Sequence, residues 1–285
     1  MTFSTIGGIL KLTRFDKPIG IFLLLWPTLW GLWIAAEGTP TWEILKVFVF
    51  GVVLMRAAGC AINDFADRGF DGKVKRTKSR PLVTGEVSPN VAIAVFCALS
   101  MVAFVLVLTL NTLTIQLSFV AIALALIYPF LKRYTYLPQL VLGAAFAWSI
   151  PMGFAAITNS VPDTAWMLFI ATLLWTTAYD TMYAMVDREF DKSIGVKSTA
   201  ILFGEADIAI IACLFGMVLV ALMLVGFRLE MHTYYFYALG VALAMVFYQL
   251  WLIRNREPDR CFRAFIANNW FGMVIFLGIV AAYNQ

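Results

Sequence analysis

Between Asn63 and Arg80 the chain sets three carboxylates, Asp64, Asp67 and Asp71, and six basic residues into eighteen positions. Asn63, Asp67 and Asp71 recur every fourth residue, so on a continuous helix they share one face. Carboxylates at that spacing repel one another, and a cation between them removes the penalty. An oxygen-rich face with few ligands suits Mg²⁺, which takes one or two carboxylates and completes its shell with water and substrate phosphate. The basic residues that follow are natural partners for that phosphate. Lys78 and Arg80, beside the turn Ser79-Arg80-Pro81-Leu82, are better placed for it than Lys73, Lys75 and Arg76, which read as membrane-surface charges.

A second acidic line makes the pattern specific. Asp180, Tyr183, Asp187 and Asp191 follow helical spacing, with Asp187 and Asp191 one turn apart. A shift of 120 positions carries Asp67 onto Asp187 and Asp71 onto Asp191, and Gly85-Glu86 meets Gly204-Glu205 within one residue. The chain therefore reads as a diverged duplication, two four-helix repeats each delivering a carboxylate pair. Two such pairs with adjacent cations describe a site for Mg²⁺ and a diphosphate, and Asp67, Asp71, Asp187 and Asp191 are the candidate catalytic carboxylates.

The elements that must hold these residues are helices in a membrane. Of 285 residues, 62% are hydrophobic and 13% charged, against about 25% charged in soluble domains; the mean hydropathy is +0.85. Apolar stretches near the ~20 residues that cross a bilayer lie at about 19–36, 44–62, 91–110, 113–131, 137–157, 164–186, 207–227, 233–253 and 264–283. The sequence thus predicts an all-α integral membrane protein, one domain over 1–285, with about nine transmembrane helices bundled around a central cavity and capped by loops. Eighteen of the 21 Lys and Arg fall on one side of this arrangement, together with the amino terminus and both acidic motifs. That side is expected to be cytoplasmic. The net charge of +4 then reports topology and gives nucleic-acid binding little support.

Single residues fill in the picture. Arg56 lies within the second apolar stretch, a costly place for a charge unless it faces protein or water. It shares helical spacing with Cys60, Asn63 and Asp67, so it is expected to point into the same cavity, either as a salt-bridge partner or as an anion site. Asp180, two turns before Asp187, is a functional candidate on the same ground. Residues 72–90 are expected to cap the cavity as a loop with short helical pieces. The first eighteen residues, with Lys11, Arg14 and Lys17, look like a short interfacial helix. Arg254, Arg256, Arg260 and Arg263 fit the orientation rule and need no further role. His232, the only histidine, is expected on the far side, and four scattered cysteines imply neither zinc nor disulfides. Phosphate loops, paired-histidine zinc sites and nucleophile elbows are absent.

With those residues in view the chain resembles the UbiA superfamily of membrane prenyltransferases. The first superfamily motif, Asn-Asp-x-x-Asp-x-x-x-Asp, corresponds to Asn63, Asp64, Asp67 and Asp71, and the second, Asp-x-x-x-Asp, to Asp187 and Asp191. The stretches Met55-Arg56-Ala57-Ala58-Gly59-Cys60, Tyr183-Ala184-Met185-Val186-Asp187 and Lys197-Ser198-Thr199-Ala200-Ile201-Leu202-Phe203-Gly204 are similar to those of bacterial 4-hydroxybenzoate polyprenyltransferases of ubiquinone biosynthesis. The resemblance covers essentially the whole chain.

It implies a multi-pass enzyme of a bacterial inner membrane. Such enzymes bind a polyprenyl diphosphate through Mg²⁺, ionise it to an allylic cation and join that cation to C3 of 4-hydroxybenzoate. Asn63, Asp64, Asp67, Asp71, Asp187 and Asp191 would hold Mg²⁺ against the diphosphate. Arg14, Lys78, Arg80, Lys132 and Lys192 are the diphosphate candidates. Arg133 by resemblance, Arg56 by helical face, and Tyr183 are candidates for the acceptor. Asp187 or Asp191 is a candidate to orient or deprotonate the phenol. Competing readings are another aromatic acceptor, naphthoate or homogentisate, and a membrane transporter, whose binding groups more often lie near the midplane.

Overall fold

The structure is a computed structural model that describes residues 3–69, 71–73 and 77–284; Lys75 and Arg76 lie outside the described residues, as does the side chain of Lys73. Every regular element among the described residues is helical. A short helix α1 (Phe3–Leu12) precedes α2 (Ile19–Ala35) and α3 (Trp42–Asp67). A turn at Asp71–Lys73 and a four-residue helix α4 (Pro81–Thr84) then lead into α5 (Pro89–Val107) and α6 (Thr112–Leu131). The second half runs through α7 (Pro138–Ala147), α8 (Ser149–Thr158), α9 (Asp163–Ile194) and the short α10 (Thr199–Phe203). It closes with α11 (Asp207–Arg228), α12 (Thr233–Ile253) and α13 (Pro258–Tyr283).

Helix fills all nine apolar stretches, but only seven segments among the described residues are long and apolar enough to cross a membrane by length and composition. Helix α2 falls short at 17 residues. Helix α9 is long enough yet less apolar, because Thr172, Thr176, Thr177 and Thr181 occupy buried positions along it. A helix packed largely against protein need not present lipid-like side chains all round. The stretch expected at 137–157 is two helices broken at Trp148. Pro151 has no N–H to give the Ala147 carbonyl, and its ring crowds that turn.

The duplication is visible in the backbone. Each acidic helix, α3 and α9, leads to a short helix and then to a long one. Both short helices end on a glycine with positive φ, Gly85 at +77° after α4 and Gly204 at +54° after α10. A side chain is strained in that conformation, which is why the Gly-Glu pairs align.

Of the three apolar clusters among the described residues, two flank the space between the halves. The larger joins α2, α8, α9, α11, α12 and α13 around Trp30, Trp175 and Phe271, with Trp30 and Trp175 stacked at 5.2 Å. The smaller packs Leu12 of α1 against Ala58 and Ile62 of α3 and Phe96 of α5. The space left among α2, α3, α5, α6 and α9 holds the site.

Candidate active site

A cavity of about 970 Å³ runs along the inner faces of these helices. Its polar end is built from Arg14, Arg56, Asn63, Asp64, Arg80 and Tyr183, and its far end from Phe104, Phe146, Trp148 and Met152. The polar end is the end of the bundle that carries both acidic motifs.

Helix α3 supplies the first set. Arg56, Cys60, Asn63 and Asp67 do share a face, as their spacing requires, but α3 stops at Asp67 and Asp71 begins the short turn that follows. The expectation of one continuous carboxylate face through Asp71 is therefore corrected: Gly69 and Gly72 flank Asp71 and favour a turn over further helix. Asp71 reaches the others another way. The Arg80 guanidinium donates to Asp71 at 2.5 Å, lies 3.1 Å from Asp64 and 3.9 Å from Asp67, and so gathers all three carboxylates around one cation. Arg14 donates to Asp64 at 2.9 Å, and Lys132 donates to Asp67 at 2.5 Å and to Oδ1 of the Asn63 side chain at 3.5 Å. Asn63 in turn donates to Asp67 at 3.3 Å.

Asp64, Asp67 and Asp71 are all buried. Burial is the main cause that pushes Asp71 up to about 6, opposed by Arg80 and reinforced by Asp67 and Asp64. Burial also works against the Arg14 charge, yet Asp64, with smaller contributions from Cys60 and Tyr183, offsets it and holds that guanidinium above its ordinary value. One oxygen, Oδ2 of Asp64, is buried and has no hydrogen-bond partner, a condition that normally calls for a ligand.

Helix α9 supplies the second set. Asp180 and Tyr183 line the cavity, and Asp187 and Asp191, both half-buried, continue the same stripe to the end of the helix. Gly195, with φ +74°, ends α9, and its N–H and that of Val196 bond the Asp191 carbonyl. Arg188 takes no part in this stripe: it donates to Asp207, a fully buried residue at the start of α11. Arg256, from the α12–α13 connection, adds bonds of 2.8 and 3.1 Å to the same carboxylate and reaches the Glu205 carbonyl at 2.8 Å. Arg256 thus does more than obey the orientation rule. No local pattern announces this clasp, because its three parts are separated by 19 and 49 residues.

Three of the expected ligands lie elsewhere. Lys78 is exposed, on the outer side of a turn whose neighbours Thr77 and Ser79 face the cavity. Lys192 is exposed and pairs with Glu189 at 2.9 Å, one turn back on the outer face of α9. The Arg133 guanidinium donates to the Ala66 carbonyl at the end of α3, packs near the Phe130 ring at 6.0 Å and is absent from the cavity wall. Arg56, by contrast, lines the cavity, donating to the Cys60 sulfur at 2.7 Å while its Nε is buried without a partner. Tyr128 and Gly20 also line the wall and carry no motif of their own.

The donor chemistry fits a hard cation. No three His, Cys, Asp or Glu side chains among the described residues converge on one cation-sized position. A Mg²⁺ held between protein and phosphate asks only one or two carboxylates of the protein, and the orphaned oxygen of Asp64, on the helix that also carries Asn63 and Asp67, offers that kind of donor.

Comparison with known proteins bears on family and fold. The model of the UbiA prenyltransferase family matches residues 24–277. The chain is 60% identical over 277 residues to a 4-hydroxybenzoate octaprenyltransferase of Saccharophagus degradans, covering 97% of this chain and 93% of that one. It is 56% identical over 276 residues to the Coxiella burnetii enzyme of the same name, covering 97% and 96%. Among solved structures, a UbiA homolog from Aeropyrum pernix K1 superposes with a TM-score of 0.81 at 26% identity, covering 92% of this chain and 97% of that one. A UbiA homolog from Archaeoglobus fulgidus bound to GPP and Mg²⁺ shares the fold, with a TM-score of 0.71 at 18% identity over 96% and 99% of the chains.

Proposed function

The chain belongs to the UbiA prenyltransferase family, and we propose that it transfers a polyprenyl group from polyprenyl diphosphate to C3 of 4-hydroxybenzoate, for ubiquinone biosynthesis. The products are 3-polyprenyl-4-hydroxybenzoate and diphosphate. One observation carries the reaction class: carboxylates interleaved with Arg14, Arg80 and Lys132 gather at one end of the bundle, and from Arg14, Asp64 and Arg80 of that set a cavity continues into an aromatic-lined apolar channel. That is the shape of a diphosphate headgroup followed by a hydrocarbon tail. The acceptor comes from the relatives, two of which are 60% and 56% identical 4-hydroxybenzoate octaprenyltransferases.

Asn63, Asp64, Asp67, Asp71, Asp187 and Asp191 are the residues that would hold Mg²⁺ against the diphosphate. Bound there, Mg²⁺ supplies positive charge that steadies the diphosphate as it leaves with the bonding electron pair. Arg14, Arg80 and Lys132 now neutralise the carboxylates; a diphosphate competes for these cations, and each swap frees carboxylate oxygen for metal. Their fixed charge also favours the anionic leaving group over the ester, which is electrostatic catalysis. The allylic cation left behind forms a C–C bond with the ring carbon ortho to the phenol oxygen. Loss of the C3 proton then restores aromaticity.

Phe104, Phe146 and Trp148 keep water from the cation. Met101 and Phe119, 63% and 58% exposed, carry the cavity wall to the outer surface of α5 and α6, where a lipid substrate gains access sideways from the membrane. Arg56 anchors the acceptor carboxylate in place of Arg133, because of these two arginines Arg56 is the one that lines the cavity. The concentration of Lys and Arg at the acidic end supports an inner-membrane enzyme with its amino terminus and active site in the cytoplasm.

The test is a membrane assay with polyprenyl diphosphate and radiolabelled 4-hydroxybenzoate, with Mg²⁺ or EDTA, on wild type and Asp191→Ala. Label passing into the lipid extract only with Mg²⁺ and intact Asp191 is the expected result. A folded wild type that transfers nothing to 4-hydroxybenzoate but labels a naphthoate or homogentisate would overturn the acceptor, and one that labels none of them would overturn the reaction.

A further inference from the structure

Residues 132–137 connect α6 to α7, and their bonds run to the ends of both acidic helices. On the first side, the Lys132 ammonium donates to Asp67 at 2.5 Å. The Arg133 guanidinium donates to the Ala66 carbonyl in the last turn of α3. Carbonyls there have no partner inside the helix, and that end carries the negative pole of the helix, so a cation is favoured. On the second side, Gly195 ends α9 and turns the chain back. The Lys197 N–H then donates to the Lys132 carbonyl at 3.1 Å. The Lys197 ammonium donates to the Tyr134 carbonyl at 3.2 Å and lies 5.3 Å from the centre of the Tyr136 ring. Lys132 is thereby bonded to both halves of the molecule, by its side chain to α3 and by its backbone to the segment that follows α9. Pro138 opens α7 and restricts Leu137 before it, which leaves the connection little slack.

We infer that residues 132–137 are a strap that sets the two acidic helix ends in register, with Arg133 and Lys197 as positioning residues that hold Lys132 against Asp67. This rests on the reading of Lys132 as a cation for which the diphosphate competes. A metal bridged to a diphosphate from two sets of carboxylates needs those sets at a fixed spacing, and the sets come from different repeats. Arg133 fixes the strap to the first helix and Lys197 fixes it to the chain after the second. Cutting either tie lets the Lys132 ammonium drift from Asp67. Arg133 is exposed and Lys197 half-buried, so loss of either charge strands nothing in the core and the effect falls on the site, not on the fold.

The experiment compares full-length wild type, Arg133→Met, Lys197→Met, their double variant, Arg133→Lys and Lys132→Gln in membranes. It measures KM for polyprenyl diphosphate, KM for 4-hydroxybenzoate, kcat and the amount of folded protein. Arg133→Met and Lys197→Met are each expected to raise the diphosphate KM about fivefold, less than the loss of Lys132 itself. The acceptor KM stays within about twofold, because neither residue meets the acceptor. The double variant is no worse than either single one, because both ties act through one strap. Arg133→Lys keeps a cation for the Ala66 carbonyl and returns the diphosphate KM to within about twofold of wild type.

An unchanged diphosphate KM in Arg133→Met and Lys197→Met, beside a raised one in Lys132→Gln, overturns the strap and leaves Lys132 its role. An unchanged diphosphate KM in Lys132→Gln overturns the reading of Lys132 itself. A raised acceptor KM with an unchanged diphosphate KM in Arg133→Met makes Arg133 an acceptor ligand, and effects that multiply in the double variant make the two ties independent; either result overturns the inference. If Arg133→Met or Lys197→Met fails to accumulate, that tie serves folding and the positioning role falls.

Discussion

The two acidic motifs set their carboxylates at the same end of the bundle on different supports. In the first, Asp64 and Asp67 close a helix, Asp71 sits on the turn beyond it, and cations from three other parts of the chain reach in among them. In the second, Asp187 and Asp191 ride one unbroken helix that is clamped from behind by Arg188, Asp207 and Arg256. The following loops align at a shift of 119 positions, Lys78 with Lys197, Gly85 with Gly204, Glu86 with Glu205, and this alignment sets Thr199 where the first half has Arg80. Thr199 is buried, shares a 2.7 Å hydrogen bond with Thr181 and donates its backbone N–H to Gln139 at 3.1 Å. A cation in one copy is a neutral lock in the other. One half thus places removable charge at the site, and the other fixes geometry.

That difference can be broken at its root. Asp67→Ala and Asp191→Ala should each lower kcat by about 10³-fold or more, because metal-assisted departure of the diphosphate needs both banks of oxygen. Single-turnover rates at saturating Mg²⁺ check this. Near-normal turnover in either variant would mean that one half alone carries the chemistry.

The supports come next. Asp207→Asn leaves Arg188, itself 12% exposed, beside a neutral partner that is wholly enclosed. Breaking a buried pair in this way costs about 3 kcal/mol or more, so Tm should fall and folded protein with it. Arg80→Gln should lower Tm less, since Asp64 keeps Arg14, Asp67 keeps Lys132 and Asp71 can take a proton. Its KM for the diphosphate should instead rise about tenfold. A thermal scan beside initial-rate kinetics separates the two; equal losses of Tm would erase the proposed division between fixed geometry and removable charge.

Protons test the first half more gently. Asp71 is pushed up to about 6, first by burial, against Arg80. A raised carboxyl favours the folded protein most below its unfolded value, and that contribution is lost as pH rises through about 6. Ligand binding runs the other way, because metal needs the carboxylate. Apparent Mg²⁺ affinity should therefore weaken as pH drops below about 6 and recover with more Mg²⁺. In Arg80→Gln, without the cation that opposes burial, the same weakening should begin at higher pH; titrations of diphosphate-dependent Mg²⁺ binding show whether it does.

Much of this was legible in the chain, for local reasons. Helical spacing alone aims Arg56 along the face of Asn63 and Asp67, and repeated spacing pairs Asp67 with Asp187. Asp71 kept the right partners for the wrong reason: flanking glycines end the helical continuation, and the long side chain of Arg80 regathers the set. Asp207 was invisible because its partners come from a helix before it and a loop after it. That Gly20 makes room for the Arg56 guanidinium was invisible for a subtler cause. The significance of an absent side chain depends on what arrives opposite it, and Arg56 arrives from another helix.

The smallest expected effect sharpens the comparison most narrowly. Lys132 and Lys192 each follow an apolar helix near an acidic motif, and sequence gives no ground to rank them. In the structure Lys132 reaches Asp67, a carboxylate 9% exposed, from a position itself 20% exposed. Lys192 meets Glu189 with exposures of 49% and 84%. Exposed pairs of that kind contribute ~0–1 kcal/mol and are screened by salt. Lys192→Gln should therefore change the diphosphate KM by less than about twofold, whereas Lys132→Gln removes a bond to a buried charge and should raise it about tenfold. The measurement belongs at two salt concentrations, since long-range attraction from Lys192 would fade with salt while a direct contact persists. A large, salt-resistant loss in Lys192→Gln would bring the end of α9 into contact with the diphosphate, and the second half would then supply charge as well as geometry.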